Sequence, residues 1–311
     1  MWSAPVGDGA NLTLMELVST ESVFWSSLML IGAHVSTSGG LLKVMERAEE
    51  TTSDAIQIFN QSPRMWRPTK YSEEDFAAFR EAREGTRLQA VMIHMIYLIN
   101  PASGDREMRV KSLASLVHAL RVAEGIEALG VVVHPGALKS DSRSTARVRA
   151  IGMLKEALAE TETARIIYEN TAGSPQLLGR DFEETAELIE KTGNRTGLCI
   201  DSCHLHATGY DVGSPGGVSE LADEIESKIG IDQLKAIHLN DSRDERGSNR
   251  DRHAAIGKGE IGRKGFRAFL SEPRFQNIPA VSESPGPAGK GPDKAEVQLM
   301  RRLRREGLKQ R

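Results

Sequence analysis

Short apolar runs rich in Ile and Val recur along the chain and alternate with longer stretches of helical periodicity. Seven of the runs are LIGAH to His34, AIQIFN to Asn60, AVMIH to His94, VVVH to His134, RIIYE to Glu169, GLCID to Asp201 and KAIHLND, which carries His238. The eighth, IPAVSE, ends at Glu283. Successive rather than alternate positions are apolar, as in parallel strands covered by helices on the outside and packed on the inside. Helical spacing predicts helices over 40–51, 73–84, 106–128, 144–160, 181–191, 218–229, 263–271 and 293–306. Ser72 is placed to cap the second of these, with Asp75 at the capping-box position. Eight βα units in succession predict a closed (β/α)8 TIM barrel, one α/β domain over residues 29–311, rather than an open sheet.

Residues 1–28 stand apart from this pattern. They have no basic leader and only a broken apolar stretch, so they read as an N-terminal extension, disordered or loosely docked, and not as a signal peptide. Met29, directly before the first strand, is a candidate start of translation.

The 311 residues are 39% hydrophobic and 27% charged, the balance of a globular protein, and no apolar stretch is long enough to span a bilayer. Formal net charge is -3, so any nucleic-acid contact needs a local basic surface. Cys199 and Cys203 are the two cysteines and make no disulfide framework, which points to a reducing, cytoplasmic or nucleoid-associated setting.

The chemistry sits where the apolar runs stop. His34, His94, His134, Glu169, Asp201, His238 and Glu283 fall at predicted strand ends, with His204 just beyond in CIDSCH and Asp251 and His253 in a D-R-H loop segment. In a (β/α)8 barrel the C-terminal strand ends and their loops build one site. Imidazole and carboxylate together suit zinc, with manganese or iron as competitors. The number of ligands is enough for two or three ions, with Glu169 and Asp201 placed to bridge neighbours. Bridged ions lower the pKa of a water between them and stabilise both oxygens of a phosphodiester displacement. No nucleophile elbow or P-loop offers another route.

Other residues support this centre. His34 is either a ligand or a donor behind the ligands. Asn170, Asn240 and Asp241 are expected to orient ligands or cap loops, and Gly136 and Gly173 to permit close backbone approach. Cys203 reads as a packed thiol and Cys199 as core. The loop FNQSPRMWRPTK mixes Arg64, Trp66, Arg67 and Lys70, a composition suited to a DNA backbone and a stacked or wedged contact. Tyr97 is a candidate insertion residue, and Arg243, Arg250 and Arg252 add positive charge near D-R-H. The basic tail RRLRREGLKQR reads as a solvated last helix.

Taken together, IGAHVS (31–36), YLIN (97–100), HPG (134–136), ENTAG (169–173), CIDSCH (199–204), HLNDS (238–242), DRH (251–253) and ESP (283–285) resemble the endonuclease IV family of apurinic/apyrimidinic endonucleases. The resemblance runs from about residue 30 to 306 in the family's order. It implies a TIM barrel with three Zn2+ ions, Mn2+ being a substitute. It assigns His94, His134 and Glu169 to the first ion. The second falls to Glu169 as bridge with Asp201, His238 and Glu283, and the third to His204, Asp251 and His253. The implied reaction is hydrolysis of the phosphodiester 5′ to an abasic site in double-stranded DNA by a metal-bridging hydroxide. It leaves a 3′-hydroxyl and a 5′-deoxyribose phosphate, in base excision repair. Arg64, Tyr97 and Arg252 would then meet DNA, Glu169 would be the catalytic bridge, and the protein would be a monomer without an obligate protein partner. One departure stands out: Met95 and Ile96 follow the first ligand histidine, where the family carries small or acidic residues, and bulk at the groove floor is the expectation. Two other readings compete: a sugar isomerase or epimerase on the same barrel with one or two ions, and a DNA-damage binder that has lost turnover.

Overall fold

The computed structural model describes residues 29–286 and 288–311; the expected extension over 1–28 lies outside them. Eight parallel strands close into a barrel: β1 (Ile31–His34), β2 (Ala55–Phe59), β3 (Ala90–His94), β4 (Gly130–Val133), β5 (Ile166–Glu169), β6 (Thr196–Asp201), β7 (Leu234–His238) and β10 (Ala280–Ser282). Neighbours follow chain order, and β10 pairs with β1 to complete the ring, Ile31 opposite Ala280. The helices between them are α1 (Leu42–Glu50), α2 (Glu73–Arg83), α3 (Arg106–Gly125), α4 (Arg143–Leu158), α5 (Phe182–Thr192), α6 (Ser202–Thr208), α7 (Pro215–Lys228), α8 (Gly262–Leu270) and α9 (Lys294–Leu308). Short polar residues start most of them: Ser72, Asp105, Ser142, Asp181, Ser214 and Asp293 each accept a bond from the backbone N–H three residues on. At Ser72 the capping box is complete, Asp75 returning a bond from the Ser72 N–H at 2.8 Å.

Strand parity explains how the site is aimed. Two sets of strand side chains separate: Ile56, Ile58, Val91, Ile93, Val131, Val133, Ile166 and Ile237 pack with the helices. Ala55, Met92, Val132, Ile167, Cys199, Ala236 and Val281 form a second, inner cluster. Successive strand residues face opposite sides, so the residue two positions after each inner one also faces inward. Those residues are Gln57, His94, His134, Glu169, Asp201, His238 and Glu283. An apolar layer therefore closes the barrel, and a polar layer stands directly on it.

Several expectations shift in detail. β2 stops at Phe59, and Asn60 is buried beyond it, outside the polar layer; Gln57 is the inward polar residue of this strand. The short helix α6 opens directly from β6, its first turn capped by Asp201, whose Oδ1 accepts from His204 N at 2.9 Å. A two-stranded antiparallel ribbon, β8 (Asp241–Ser242) with β9 (His253–Ala254), stands outside the barrel. The last helix is more than a solvated tail: it buries Val297, Met300, Leu303 and Arg304.

Gly32 shows how tightly β1 and β2 approach. A Cβ there would lie 1.7 Å from the Ala55 carbonyl oxygen, which no side-chain adjustment relieves. Gly152, on α4, would meet nothing within 4 Å. Gly32→Ala is expected to cost about 3 kcal/mol or more in urea unfolding, whereas Gly152→Ala should be neutral or stabilising by up to about 1 kcal/mol. Equal midpoints for the two variants would contradict this packing.

Candidate metal centre

Glu169, at the end of β5, is the hub. Its carboxylate is 1% exposed. Oε2 lies 3.0 Å from His94 Nε2 and 3.0 Å from His134 Nε2, while Oε1 lies 2.9 Å from His238 Nδ1. His238 Nδ1 is also 3.4 Å from Glu283 Oε2 and 3.8 Å from Asp201 Oδ2. Two ligand groups thus share one carboxylate: His94, His134 and Glu169, and Glu169, Asp201, His238 and Glu283. The third cluster is offset toward the ribbon, with His204 Nε2 3.2 Å from Asp251 Oδ2 and His253 Nε2 3.0 Å from Asp251 Oδ1. Asp201, His204 and His253 also converge, so Asp201 lies between the second and third groups.

The hydrogen bonds behind these groups decide which ring nitrogen faces inward. His94 Nδ1 donates to the Met95 carbonyl at 2.7 Å, His204 Nδ1 to the Asn170 carbonyl at 2.8 Å, and His238 Nε2 to Gln57 Oε1 at 2.8 Å. Each donation leaves the other nitrogen as a lone pair aimed at a carboxylate oxygen. Lone pair against carboxylate is repulsive unless a cation or proton lies between them. His253 Nε2 is buried and makes no aligned hydrogen bond. Ligand atoms around a tetrahedral zinc stand about 3.3 Å apart, close to the separations here, so the donor set fits such ions. Protons compete for the same places. Burial opposes protonation of His204 and His238, but Asp201, Asp251 and Glu169 around His204, and Cys199, Glu283 and Glu169 around His238, override it and hold both well above the usual imidazole value. Burial likewise opposes ionisation of Glu283, yet His238 and His94 bring it down to about 2.

Amide side chains fix the carboxylates. Asn240 Nδ2 donates to Asp201 Oδ2 at 2.6 Å and to Glu283 Oε2 at 3.1 Å, and its Oδ1 accepts from Glu283 N at 2.9 Å. Asn170 Oδ1 accepts from Asp201 N at 2.7 Å. Asn100 does the same for the loop after β4, accepting from Ala137 N at 2.9 Å and donating to Ala137 O at 3.0 Å. Gly136, at φ +119°, lies so near that a Cβ would come within 2.5 Å of Asn100 Oδ1.

Asp241 organises the third cluster from behind. It is fully buried, and its carboxylate accepts from the backbone N–H groups of Ser242, Gly257, Gly259, Ile261 and Gly262, at 2.9 to 3.3 Å. The segment from Gly257 to Gly262 spells G-x-G-x-x-G, a phosphate-cradling pattern when it follows a strand and opens a helix. Here its amides wrap an internal carboxylate, and the ribbon that Asp241 begins carries His253 on its other strand.

The centre opens into a cavity of about 930 Å3 lined by His34, Phe59, Tyr97, Ser36 to Gly40 and Lys290. Tyr97 is 68% exposed, its ring edge-on to Phe59 at 5.4 Å. Met95 and Ile96 are not at the groove floor, in contrast to the expectation: both are buried in the outer core. Met95 keeps the outward parity of Val91 and Ile93, its N–H still bonded to Val132 O at 2.9 Å, and at Ile96 the chain has turned so that alternation no longer applies. His34 accepts from Gln57 Nε2 at 3.2 Å, and burial brings its pKa down to about 4, which keeps it neutral. Arg64 is exposed near Tyr97, whereas Trp66 packs against the core. Arg252 does not offer a free charge. Its Nε donates to Asp244 Oδ2 at 2.6 Å, its Nη2 to Oδ1, and Arg250 lies 3.6 Å from the same carboxylate. Cys203 Sγ lies among the Asp251 and His253 ligand atoms, with burial and the nearby Asp201 and Asp251 pushing its pKa up and holding it as a thiol.

Known proteins resemble this chain over most of its length. Residues 45–306 match the family model of xylose isomerase-like TIM barrels. A protein of Carboxydothermus hydrogenoformans named probable endonuclease 4 is 37% identical over 282 residues, covering 90% of this chain and 98% of its own. One of the same name from Haloquadratum walsbyi is 34% identical, covering 85% and 94%. The crystal structure of endonuclease IV from Thermus thermophilus superposes with a TM-score of 0.77 at 32% identity, over 91% of this chain and all of that one. The chain belongs to the endonuclease IV family. Sugar epimerase structures share the barrel more distantly, for example a D-tagatose 3-epimerase-like protein at 21% identity and TM-score 0.65.

Within this endonuclease IV fold, Gln57 is the site residue that sequence reasoning passed over. It joins three ligand-layer residues at once, donating to Glu283 Oε1 at 2.5 Å and to His34, and accepting from His238. The available signal was a lone amide inside the apolar run AIQIF. Gln57→Leu should weaken metal retention about 10- to 100-fold, read by competition with a chelator. Unchanged retention would mean that Gln57 does not orient His238 and Glu283.

Proposed function

We propose that this chain is a zinc-dependent DNA-repair endonuclease that hydrolyses the phosphodiester 5′ to an abasic site in duplex DNA, leaving a 3′-hydroxyl and a 5′-deoxyribose phosphate. The observation that carries this reading is Glu169: one buried carboxylate with both oxygens engaged by imidazoles from three different segments. A carboxylate so placed suits a bridge between two ions. His94 and His134 would hold one ion with it, Asp201, His238 and Glu283 a second, and His204, Asp251 and His253 a third. Ions there would lower the pKa of a water into the neutral range and stabilise charge on the oxygens of an in-line displacement.

The chain's own residues supply the rest. Four carboxylates, Glu169, Asp201, Asp251 and Glu283, crowd the bottom of the cavity and alone would repel a phosphodiester. Three divalent ions would reverse that sign, so DNA binding and metal loading are tied together. Tyr97 projects from the rim against Phe59, placed to fill space beside a nucleotide that has left its stack, and Arg64 adds charge next to it. The cavity volume suits an extruded nucleotide, and its open mouth suits a duplex better than a free sugar.

A metal-dependent isomerase is the other reading that the barrel permits. It has no use for the third cluster at Asp251 and His253. Elemental analysis decides: about three zinc per chain supports the nuclease, and a single manganese the isomerase. Zinc-loaded protein should nick a duplex with one abasic site, with Glu169→Gln lowering the rate on the order of a thousandfold or more and reducing zinc content. An intact duplex under those conditions overturns the proposal.

A further inference from the structure

At the opposite end of the barrel from the metal centre, the start of β1 and the inner face of α9 enclose a cavity of about 250 Å3. Its walls carry Arg87, Arg301, Arg304 and Arg305, but only one carboxylate, Asp54. Asp54 is already engaged on both oxygens. Oδ1 accepts from Arg87 Nε at 3.0 Å and Nη2 at 2.8 Å, and Oδ2 from Arg301 Nη2 at 2.6 Å. Arg304 is different. It is 8% exposed, its Nε donates to Gln276 Oε1 at 2.8 Å, and no carboxylate among the described residues pairs with it. Burial alone pulls its pKa below the usual guanidinium value. Arg305, beside it, is exposed and also makes no ion pair among the described residues.

The body of Arg304 is buried, and its Nη groups, which have no acceptor among the described residues, are open to a confined cavity with an excess of positive charge. Donors held in place this way lose little freedom when an anion meets them. We propose that this cavity is an oxyanion-binding site, separate from the metal centre, that takes a phosphate-type dianion. The planar fork of an arginine presents paired N–H donors matched to two oxygens of one oxyanion, and several forks around one cavity favour a dianion over a monoanion. A free phosphate group has that chemistry. Residues 1–28, which contain Asp8, Glu16 and Glu21 and no Lys or Arg, offer only monoanionic carboxylates and would be weaker competitors for it.

The test is calorimetric titration of inorganic phosphate into the zinc-loaded full chain, at constant ionic strength set with chloride, with acetate as the monoanionic comparison. Any phosphate held at the metal centre is common to all variants, so the difference between isotherms is what counts. Arg304→Gln should weaken one binding event about tenfold or more, and Arg305→Gln, on an exposed position that leaves the fold intact, severalfold. Acetate should bind more weakly than phosphate. A chain beginning at Met29 tests that competition: phosphate binding there as tight as in the full chain, or tighter, supports the site, and loss of the Arg304-dependent binding event overturns it. Identical isotherms for the parent chain, Arg304→Gln and Arg305→Gln overturn the proposal, as does acetate binding as tightly as phosphate.

Discussion

The structure is organised around a desolvated electrostatic conflict. At His94, His238 and Glu169, imidazole lone pairs and carboxylate oxygens face one another about 3 Å apart in a buried layer, where water screens them poorly. Backbone and amide acceptors behind His94, His204 and His238 prevent the rings from turning to escape it. Such an arrangement is stable only when positive charge occupies the gaps. The folded protein therefore carries a standing demand for cations, and the surrounding barrel can be read as the frame that keeps this demand focused on one place.

That frame is built from repetition. Seven of the eight strands, all but β1, contribute an inner apolar residue and, two positions later, a group of the polar layer. The apolar layer seals the barrel below the ligands, so among the described residues they are reached from the mouth. Asn240, Asn100 and Asp241 then hold the loops that rise from the strand ends, each through two or more hydrogen bonds to backbone or carboxylate, while Asn170 accepts from Asp201 N through its side chain and from the His204 ring through its carbonyl. Rigid strands aim the ligands, and polar clamps on the first loop residues stop those ligands from drifting.

Much of this was legible in the residues because two constraints coincide at one place. A buried parallel strand must be apolar throughout, and a ligand must sit where it ends, so His94, His134, Glu169, Asp201, His238 and Glu283 announce themselves as polar stops. What escaped lay where no such coincidence exists. Gln57 interrupts a run instead of ending it. The ribbon of β8 and β9 is too short to show periodicity. Met95 continues the outward parity of Val91 and Ile93, which strand bounds ending at His94 did not reveal, and Ile96 follows after alternation has ceased, so its burial could not be extrapolated. The pairing of Arg252 with Asp244 depends on how a loop folds back on itself, which local composition does not reveal.

The two-residue step between the sealing layer and the ligand layer also governs how such a chain can change over evolutionary time. Losing or gaining one amino acid within a strand would rotate its terminal group toward the helices and away from the centre. Loop residues above the mouth that neither hold a candidate ligand nor clamp one are under no such restriction. Length variation in this lineage should accumulate in the loops, while the strands remain frozen in frame.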